Sequence, residues 1–265
     1  MSSASARVRV MTWNIHGGVG PDRRFDLARV VKTIAHHDPD VVALQEVDSR
    51  RTVAPARSAF AVLREAVGHH GIEAKSIITA DGEYGQMVVS RWPFIATQVH
   101  DITHAKREPR RAIEAEIAAP GGAFRLIATH FGLSLSERRR QARRLVAIAR
   151  PHAMTTVMLG DFNEWFWPAS LRGALRRELP AHTPYATFPS RYPLFRLDRI
   201  LCWPPQAMQA SFVDRSARGV SDHLPVVADI VVYAQPGTLP SGPPDDVSEA
   251  ASVSDGLQPA HAACS

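Results

Sequence analysis

The sequence predicts an α/β (α+β) fold in which mixed β-sheets are layered with helices. Short apolar segments of strand-like character recur along almost the whole chain, and segments with apolar residues at helical spacing lie between them. The chain has 265 residues, of which 45% are hydrophobic, and this is enough to fill the core of one large domain.

In the first half of the chain, two predicted helices are followed by a β-rich region. Residues 7–13 alternate with a period of two, as a strand does, and residues 25–35 carry apolar side chains at helical spacing. Residues 41–44 form a continuous apolar run typical of a buried strand, and residues 58–67 predict a second helix. From 72 to 130, short β-rich runs are separated by turn residues, which predicts hairpins and antiparallel pairing.

The second half repeats the alternation of helix and strand. A helix is predicted over residues 136–150, followed by a strand over 155–159 and a helix over 169–177. Residues 197–202 and 225–233 are the last two predicted strands.

The C-terminal residues differ in composition from the rest. Residues 235–265 are rich in Pro, Gly, Ser, Ala and Asp and have no apolar periodicity, so we expect a disordered acidic tail after an ordered domain of residues 1–234. Four of the 26 acidic residues lie in this tail, which leaves 22 against all 31 Lys and Arg, a net charge of +9. Such a basic body favours nucleic acid, phosphorylated small molecules or anionic lipid headgroups, or serves solubility alone.

The sequence also predicts where the protein works. No apolar run approaches the roughly 20 residues of a membrane span, and the N-terminus has no secretion signal. Two cysteines do not make a disulfide framework. We therefore expect a cytoplasmic monomer without a transmembrane segment.

Five short polar motifs end predicted strands or closely follow them. Polar residues in such positions tend to gather at one edge of a sheet, where loops build sites. Each motif alone would be typical of a turn or of a solvated pair, and only the set is informative. The motifs are Thr12-Trp13-Asn14, Gln45-Glu46-Val47, Thr129-His130, Gly160-Asp161-Phe162-Asn163 and Ser221-Asp222-His223-Leu224-Pro225.

Together these motifs supply ligands for a hard metal ion and donors for an anion. Carboxylate and amide oxygens suit Mg²⁺ or Mn²⁺ far better than zinc. Two histidines, His130 and His223, can bind or protonate a phosphate oxygen near neutral pH. The chain has no P-loop and no Gly-x-Ser-x-Gly motif, and no Cys lies in the five motifs. The oxygen donors are Glu46, Asp161 and Asp222, with Asn14 and Asn163.

The ordered set of motifs resembles the endonuclease/exonuclease/phosphatase superfamily, which includes deoxyribonuclease I, abasic-site endonucleases, neutral sphingomyelinases and inositol phosphatases. The resemblance covers residues 8–233. Besides the five motifs, it includes family-like stretches at residues 85–93, 109–111 and 196–201. It implies a four-layer αββα sandwich in which two mixed β-sheets are flanked by helices, with the site where loops of both sheets converge. It further implies that Glu46 is the principal metal ligand, helped by Asn14 and Asp222.

The resemblance also implies how the remaining residues would act on a phosphate ester. Asp161 is similar to the residue that positions or deprotonates the attacking water, and Asn163 would steady water or phosphate. His223, oriented by Asp198, would bind a non-bridging oxygen, and His130 would face the phosphate from the other side. These roles agree with charge neutralisation and general base catalysis at a phosphate.

Three further features have alternative interpretations. Arg110 and Arg111 precede a predicted strand, and one of them, for which we take Arg111, could contact the phosphate; a solvated strand end is the alternative. Trp165 could pack in the core, or contact substrate by stacking on a base or touching an acyl chain. The basic run of residues 138–144 could be a solvated helix face, or a patch for a phosphate backbone or a lipid headgroup.

The expected activity is that of a Mg²⁺- or Mn²⁺-dependent phosphoesterase that cleaves a phosphodiester or phosphomonoester with an activated water. A nonspecific nuclease for DNA or RNA and a catalytically inactive phosphate- or nucleic-acid-binding module are the alternatives. A dedicated abasic-site endonuclease is disfavoured, because residues 185–189 read Tyr-Ala-Thr-Phe-Pro where those enzymes resemble a pattern with Trp.

Overall fold

The computed structural model describes residues 5–51, 57–150, 153–165 and 169–233, which form twelve strands and four α-helices. Two six-stranded sheets face each other, and two helices cover the outer face of each. This arrangement confirms the predicted four-layer αββα sandwich with mixed sheets. The tail predicted for residues 235–265 lies outside the described residues.

The first sheet has the strand order β11-β12-β1-β2-β4-β3. Its central strands β1 and β2 are parallel, and the other neighbours pair antiparallel. Its strands are β1 (Ser5–Asn14), β2 (Val41–Asp48), β3 (His70–Thr79), β4 (Gly82–Ser90), β11 (Met208–Val213) and β12 (Val226–Tyr233).

The second sheet has the order β5-β6-β7-β8-β10-β9 and again one central parallel pair, β7 with β8. Antiparallel pairing joins the other neighbours, as predicted for the hairpin-rich region. Its strands are β5 (Phe94–Asp101), β6 (Arg111–Ala119), β7 (Gly122–His130), β8 (Thr156–Asp161), β9 (Ala181–His182) and β10 (Asp198–Trp203).

The four helices form close to where helical spacing predicts them. They are α1 (Leu27–His37), α2 (Ala59–Val67), α3 (Leu135–Ala149) and α4 (Ala169–Glu178). Side chains cap three of them: Asp26 begins α1, Ser58 begins α2, and Ser134 with Glu137 forms a capping box on α3. None of the helices among the described residues is both long and apolar enough to cross a membrane.

Three apolar layers separate the four layers of secondary structure. In β1, Val8 and Val10 point between the two sheets, whereas Met11 and Trp13 point towards α1 and α2. The third layer, between the second sheet and α3, contains the apolar stripe of that helix, including Leu145. The alternation of side chains along each strand therefore divides the apolar residues between an inner and an outer layer.

One end of the sandwich collects the polar motifs because two parallel pairs end there. β1 and β2 end near Asn14 and Glu46, and β7 and β8 end at His130 and Asp161. β10 begins at the same end, where Asp198 pairs in register with Asp161. The strands thus deliver residues distant in sequence to one place.

Gly160 allows β7 and β8 to approach closely beside these motifs. It has φ +147°, and a Cβ at this position would lie 1.9 Å from the carbonyl oxygen of Thr129. Both the backbone conformation and the contact therefore require glycine.

We expect Gly160→Ala to lower the free energy of unfolding by roughly 3 kcal/mol or more, because it adds backbone strain to a steric overlap. Gly173→Ala is the matched control: it lies in α4, and a Cβ there has nothing within 4 Å. That variant should be stabilised by about 0.5–1 kcal/mol. Urea denaturation measures both, and equal stability of the two variants would contradict the prediction.

Candidate active site

The side chain of Asn14 joins the two sheets at the centre of the site. Its Nδ2 donates to Glu46 Oε1 at 2.9 Å and to Asp161 Oδ2 at 3.0 Å, and its Oδ1 accepts from the backbone N–H of His16 at 3.0 Å. Asn14 is buried at the end of β1. One amide thus holds the carboxylates of two different sheets close together.

Glu46 lies where β2 departs from regular pairing. The register of β2 with β4 shifts between Leu44 and Val47, and Glu46 has φ +57°. A bulge of this kind redirects a side chain, and a positive φ in a residue other than glycine is typical of functional positions. Glu46 remains partly exposed, so its carboxylate is accessible at the site.

Asp161 is fully buried at the end of β8. Its Oδ1 accepts from the backbone N–H of Asn163 at 2.8 Å, and its Oδ2 accepts from Asn14. Burial raises the pKa of the Asp161 carboxyl to about 6, and the charge of Asp198 acts in the same direction. Asn163 has φ +48° and donates from Nδ2 to the carbonyl of Phe131 at 2.8 Å, which fixes the turn after the strand.

Burial and a neighbouring arginine hold His130 neutral. The Nη1 atom of Arg110 lies 3.0 Å from His130 Nδ1. Because a guanidinium only donates, Nδ1 must accept, and the ring proton is therefore on Nε2. Burial holds the pKa of His130 well below its usual value, and the charges of Arg110 and His223 lower it further.

His223 has the opposite environment. Its Nδ1 donates to Asp198 Oδ2 at 2.8 Å, and the hydroxyl of Thr187 donates to the same oxygen at 2.5 Å. Burial alone would lower the pKa of His223, but the Asp198 and Asp161 carboxylates outweigh it and raise that pKa to about 10. His223 is therefore an imidazolium at neutral pH, oriented by a buried carboxylate.

Both imidazoles direct their free nitrogen to the same carboxylate oxygen. His130 Nε2 lies 3.6 Å and His223 Nε2 lies 3.9 Å from Asp161 Oδ2, and His130 Nε2 is 3.9 Å from Glu46 Oε1. A neutral donor, a charged donor and a buried base thus face one another across a short gap. These groups can transfer a proton and stabilise an anion.

Three predicted site residues lie around this centre. Asp222 is half-exposed, with Oδ1 3.7 Å from His16 Nδ1. Arg111 bonds to Asp101 and Thr103 at the start of β6, and the structure brings its neighbour Arg110 to His130 instead. Trp165 packs edge-on against Phe188, 5.0 Å between ring centroids.

Sequence reasoning chose Arg111 rather than Arg110 of the arginine pair, and it missed Thr187 and Phe188 as site residues. Phe188 packs against the His223 ring at 4.8 Å, so an aromatic wall runs from Trp165 to the imidazolium. The stretches that contain these residues stand out in the sequence. However, each residue contacts others that are distant along the chain, and the local sequence does not predict which ones.

The chemistry of the site fits a divalent cation. Ligand atoms of Asp161, Asp198 and His223 lie within 4.8 Å of one another and could hold a metal. Asp198 Oδ1 is buried and, in the described part of the chain, has no hydrogen-bond partner. Glu46 and Asp161 likewise form no ion pair with a Lys or Arg among the described residues. Carboxylates that no Lys or Arg neutralises can serve as ligands for a hard metal ion.

A protein-family model matches most of the chain. The model of the Endonuclease/Exonuclease/phosphatase family matches residues 11–223. Uncharacterized protein YbhP of Escherichia coli (strain K12) is 29% identical over 241 residues, which cover 84% of this chain and 95% of that protein.

Solved structures share the fold at lower identity. The endonuclease/exonuclease/phosphatase from Beutenbergia cavernae DSM 12333 has a TM-score of 0.68 at 24% identity. The match covers 86% of this chain and 72% of that chain. D. rerio TDP2 complexed with single strand DNA product has a TM-score of 0.58 at 16% identity, over 84% and 98% of the two chains.

Replacement of Arg110 tests the assignment of the His130 proton. Arg110→Gln removes a positive charge from Nδ1, so we expect the pKa of His130 to rise. Arg107→Gln, on the exposed part of the same loop, is the control and should leave the His130 pKa unchanged. NMR titration of the ring, with ¹⁵N shifts to identify the tautomer, measures both. A wild-type ring protonated on Nδ1 would contradict the assignment.

Proposed function

The chain belongs to the endonuclease/exonuclease/phosphatase family, and we propose that residues 1–234 form a Mg²⁺- or Mn²⁺-dependent hydrolase that cleaves a phosphate ester with an activated water. The observation that carries the proposal is the convergence of two differently charged imidazoles on the Asp161 carboxylate. A phosphate ester needs a base for water and donors for its oxygens, and this arrangement contains both.

The metal would be held on the Glu46 side of the site. Glu46 is accessible, and Asn14 Oδ1 keeps one lone pair beside the hydrogen bond that it accepts from His16. Asp222 supplies a second carboxylate at the edge of the site. We favour these ligands over a site that includes His223, because an imidazolium must lose its proton before it can bind a metal. When bound, such an ion neutralises charge on the phosphate and lowers the pKa of bound water.

Asp161 would act as the base that positions and deprotonates the attacking water. With a pKa of about 6 it is ionised at neutral pH and still basic enough to accept a proton. Hydrogen bonds from Asn14 and the Asn163 backbone fix its two oxygens, so the carboxylate is oriented before the substrate arrives.

The two histidines would stabilise the phosphate from different sides. His223 offers a charged Nε2–H to a non-bridging oxygen, and Asp198 keeps its ring charged and oriented. His130 offers a neutral Nε2–H, because Arg110 occupies its other nitrogen. Anionic phosphorylated molecules are therefore the expected substrates.

Two substitutions separate a metal ligand from a base. Glu46→Gln should weaken metal binding and abolish most turnover, because it removes the accessible carboxylate. Asp161→Asn should lower turnover by a factor on the order of 10² to 10⁴, with little change in metal affinity. Glu116→Gln, on β6 and lining a cavity away from the site, is the control.

The measurement combines hydrolysis of bis-p-nitrophenyl phosphate, with and without EDTA, and titration with Mg²⁺ or Mn²⁺. Activity lost with EDTA and restored by the ion supports the enzyme. DNA binding without turnover would support the binding module instead. Asp161 would be a ligand if its substitution weakened metal binding as severely as that of Glu46.

The charge on His223 predicts the alkaline limit of activity. Turnover should fall as pH rises through the pKa of His223, where the imidazolium loses its proton, and should also fall below the pKa of Asp161. Asp198→Asn removes the main charge that raises the His223 pKa, so the alkaline limb of the pH–rate profile should move to lower pH. The maximal rate should fall by less than about 10²-fold, since Asp198 only orients the ring. An unmoved alkaline limb would show that another group limits the rate there.

A further inference from the structure

The most exposed large apolar side chains of the described residues lie at the end of the sandwich that carries the site. They are Tyr192 (80% exposed), Leu194 (74%), Ile78 (71%) and Leu133 (65%), which we call the apolar rim. Large apolar residues this exposed are costly in water and mark interaction surfaces when they cluster. The rim comes from three separate segments, two loops and the β3–β4 hairpin, so it does not result from one irregular segment.

The loop that bears Tyr192 and Leu194 also builds the site. Phe188 pairs with Phe195, whose backbone N–H donates to the Phe188 carbonyl at 2.8 Å, and Tyr192 N–H donates to Pro189 at 3.1 Å. Phe188 packs inwards on the His223 ring. The turn therefore fixes one face against the catalytic centre and holds two apolar side chains outwards.

Leu133 is held outwards by buried polar bonds. Its carbonyl accepts from the buried Arg138, and the neighbouring Gly132 N–H donates to Gln141 Oε1 at 2.9 Å. Leu133 follows β7 by three residues and precedes α3, whose capping box fixes the other end of the loop. Its exposure is thus a property of a well-bonded loop.

Ile78 extends the rim to the first sheet. It pairs with Glu83 at the tip of the β3–β4 hairpin. Glu83 in turn exchanges hydrogen bonds with Ser49, directly after β2, the strand of Glu46. The hairpin tip is therefore attached to the same end of the sandwich as the site.

Asp81 and Glu83 lie beside Ile78, and basic side chains flank the rim at its other two segments. Arg191 and Arg196 are exposed on either side of Tyr192 and Leu194, and no acidic residue lies between them. On α3, the residues exposed after Leu133 include Arg139 and Arg140, whereas the acidic Glu137 is buried. Apolar tips beside arginines are the pattern of proteins that bind at the interface of an anionic membrane.

We propose that the apolar rim docks on an anionic lipid surface and that the phosphate esters of lipid headgroups are the substrates of the site behind it. The inference rests on the proposed function. Three of the four rim residues are aliphatic and cannot stack on bases, so the rim fits an acyl interface better than a nucleic acid. The positive body adds electrostatic attraction to anionic headgroups.

The test is binding to vesicles by the full chain, measured by co-sedimentation in EDTA so that no turnover is needed. The test variant replaces all four rim residues: Ile78→Ser, Leu133→Ser, Tyr192→Ser and Leu194→Ser. The control replaces Ile95 and Tyr233 with Ser, which are exposed apolar residues at the opposite end of β5 and β12. Melting temperatures verify that both variants fold.

We expect the wild type to bind vesicles of phosphatidylcholine with about one third phosphatidylglycerol more tightly than phosphatidylcholine alone. The rim variant should bind the anionic vesicles on the order of tenfold more weakly, and the control within about twofold of the wild type. Wild type that does not bind, a rim variant that binds normally, or a rim variant that loses single-stranded DNA binding instead would overturn the proposal. If the protein hydrolyses bis-p-nitrophenyl phosphate but does not bind vesicles, the proposed function stands and only the docking is refuted. If it does not hydrolyse this ester, the proposed function is refuted independently of vesicle binding.

Discussion

The amide of Asn14 is the contact on which the geometry of the site depends, because it bonds to one carboxylate from each sheet. Glu46 belongs to the first sheet and Asp161 to the second, and between the sheets lies an apolar layer, crossed elsewhere by the hydrogen bond from Gln86 Nε2 to the Arg111 carbonyl. Apolar packing is non-directional and does not fix the relative position of two acids. A buried hydrogen bond does, because its cost when broken is high. The hydrogen bonds of this one amide therefore fix the position of Glu46 relative to Asp161.

The two histidines show how the same residue type is given two different charges. Arg110 donates to the His130 ring, and Asp198 accepts from the His223 ring. The lowering of the pKa by burial is therefore reinforced at His130 and overcome at His223. Burial disfavours the imidazolium in both rings, so the difference between them comes from the neighbouring charges. A neutral donor beside a charged one lets the site bind an anion without placing two like charges next to each other.

Much of the fold and of the polar set could be predicted from the sequence, because strand ends are local features. Asn14, Glu46, His130 and Asp161 each terminate an apolar run, and parallel pairing brings such ends together. The choice between consecutive arginines could not be predicted, since it depends on which neighbour faces inwards at the start of β6.

Contacts between distant residues limited the prediction further. Thr187 is eleven residues from its partner Asp198, and Phe188 meets His223 across a still longer separation. The positive φ of Glu46 arises from a bulge whose presence depends on the pairing of β2 with β4. Such features are properties of the assembled sheet and have no signature in a single segment.

The loops at the site end satisfy two demands that usually conflict. A catalytic centre needs fixed walls, whereas an apolar side chain on a flexible loop would turn inwards to escape water. Here the bonds that fix the walls also prevent that collapse: Phe188 anchors the turn of Tyr192, and Arg138 anchors the loop of Leu133. In these two loops the exposure of the apolar side chains is thus maintained by contacts that also order the backbone beside the site. On the docking that we propose, these loops would bring the centre to its substrate.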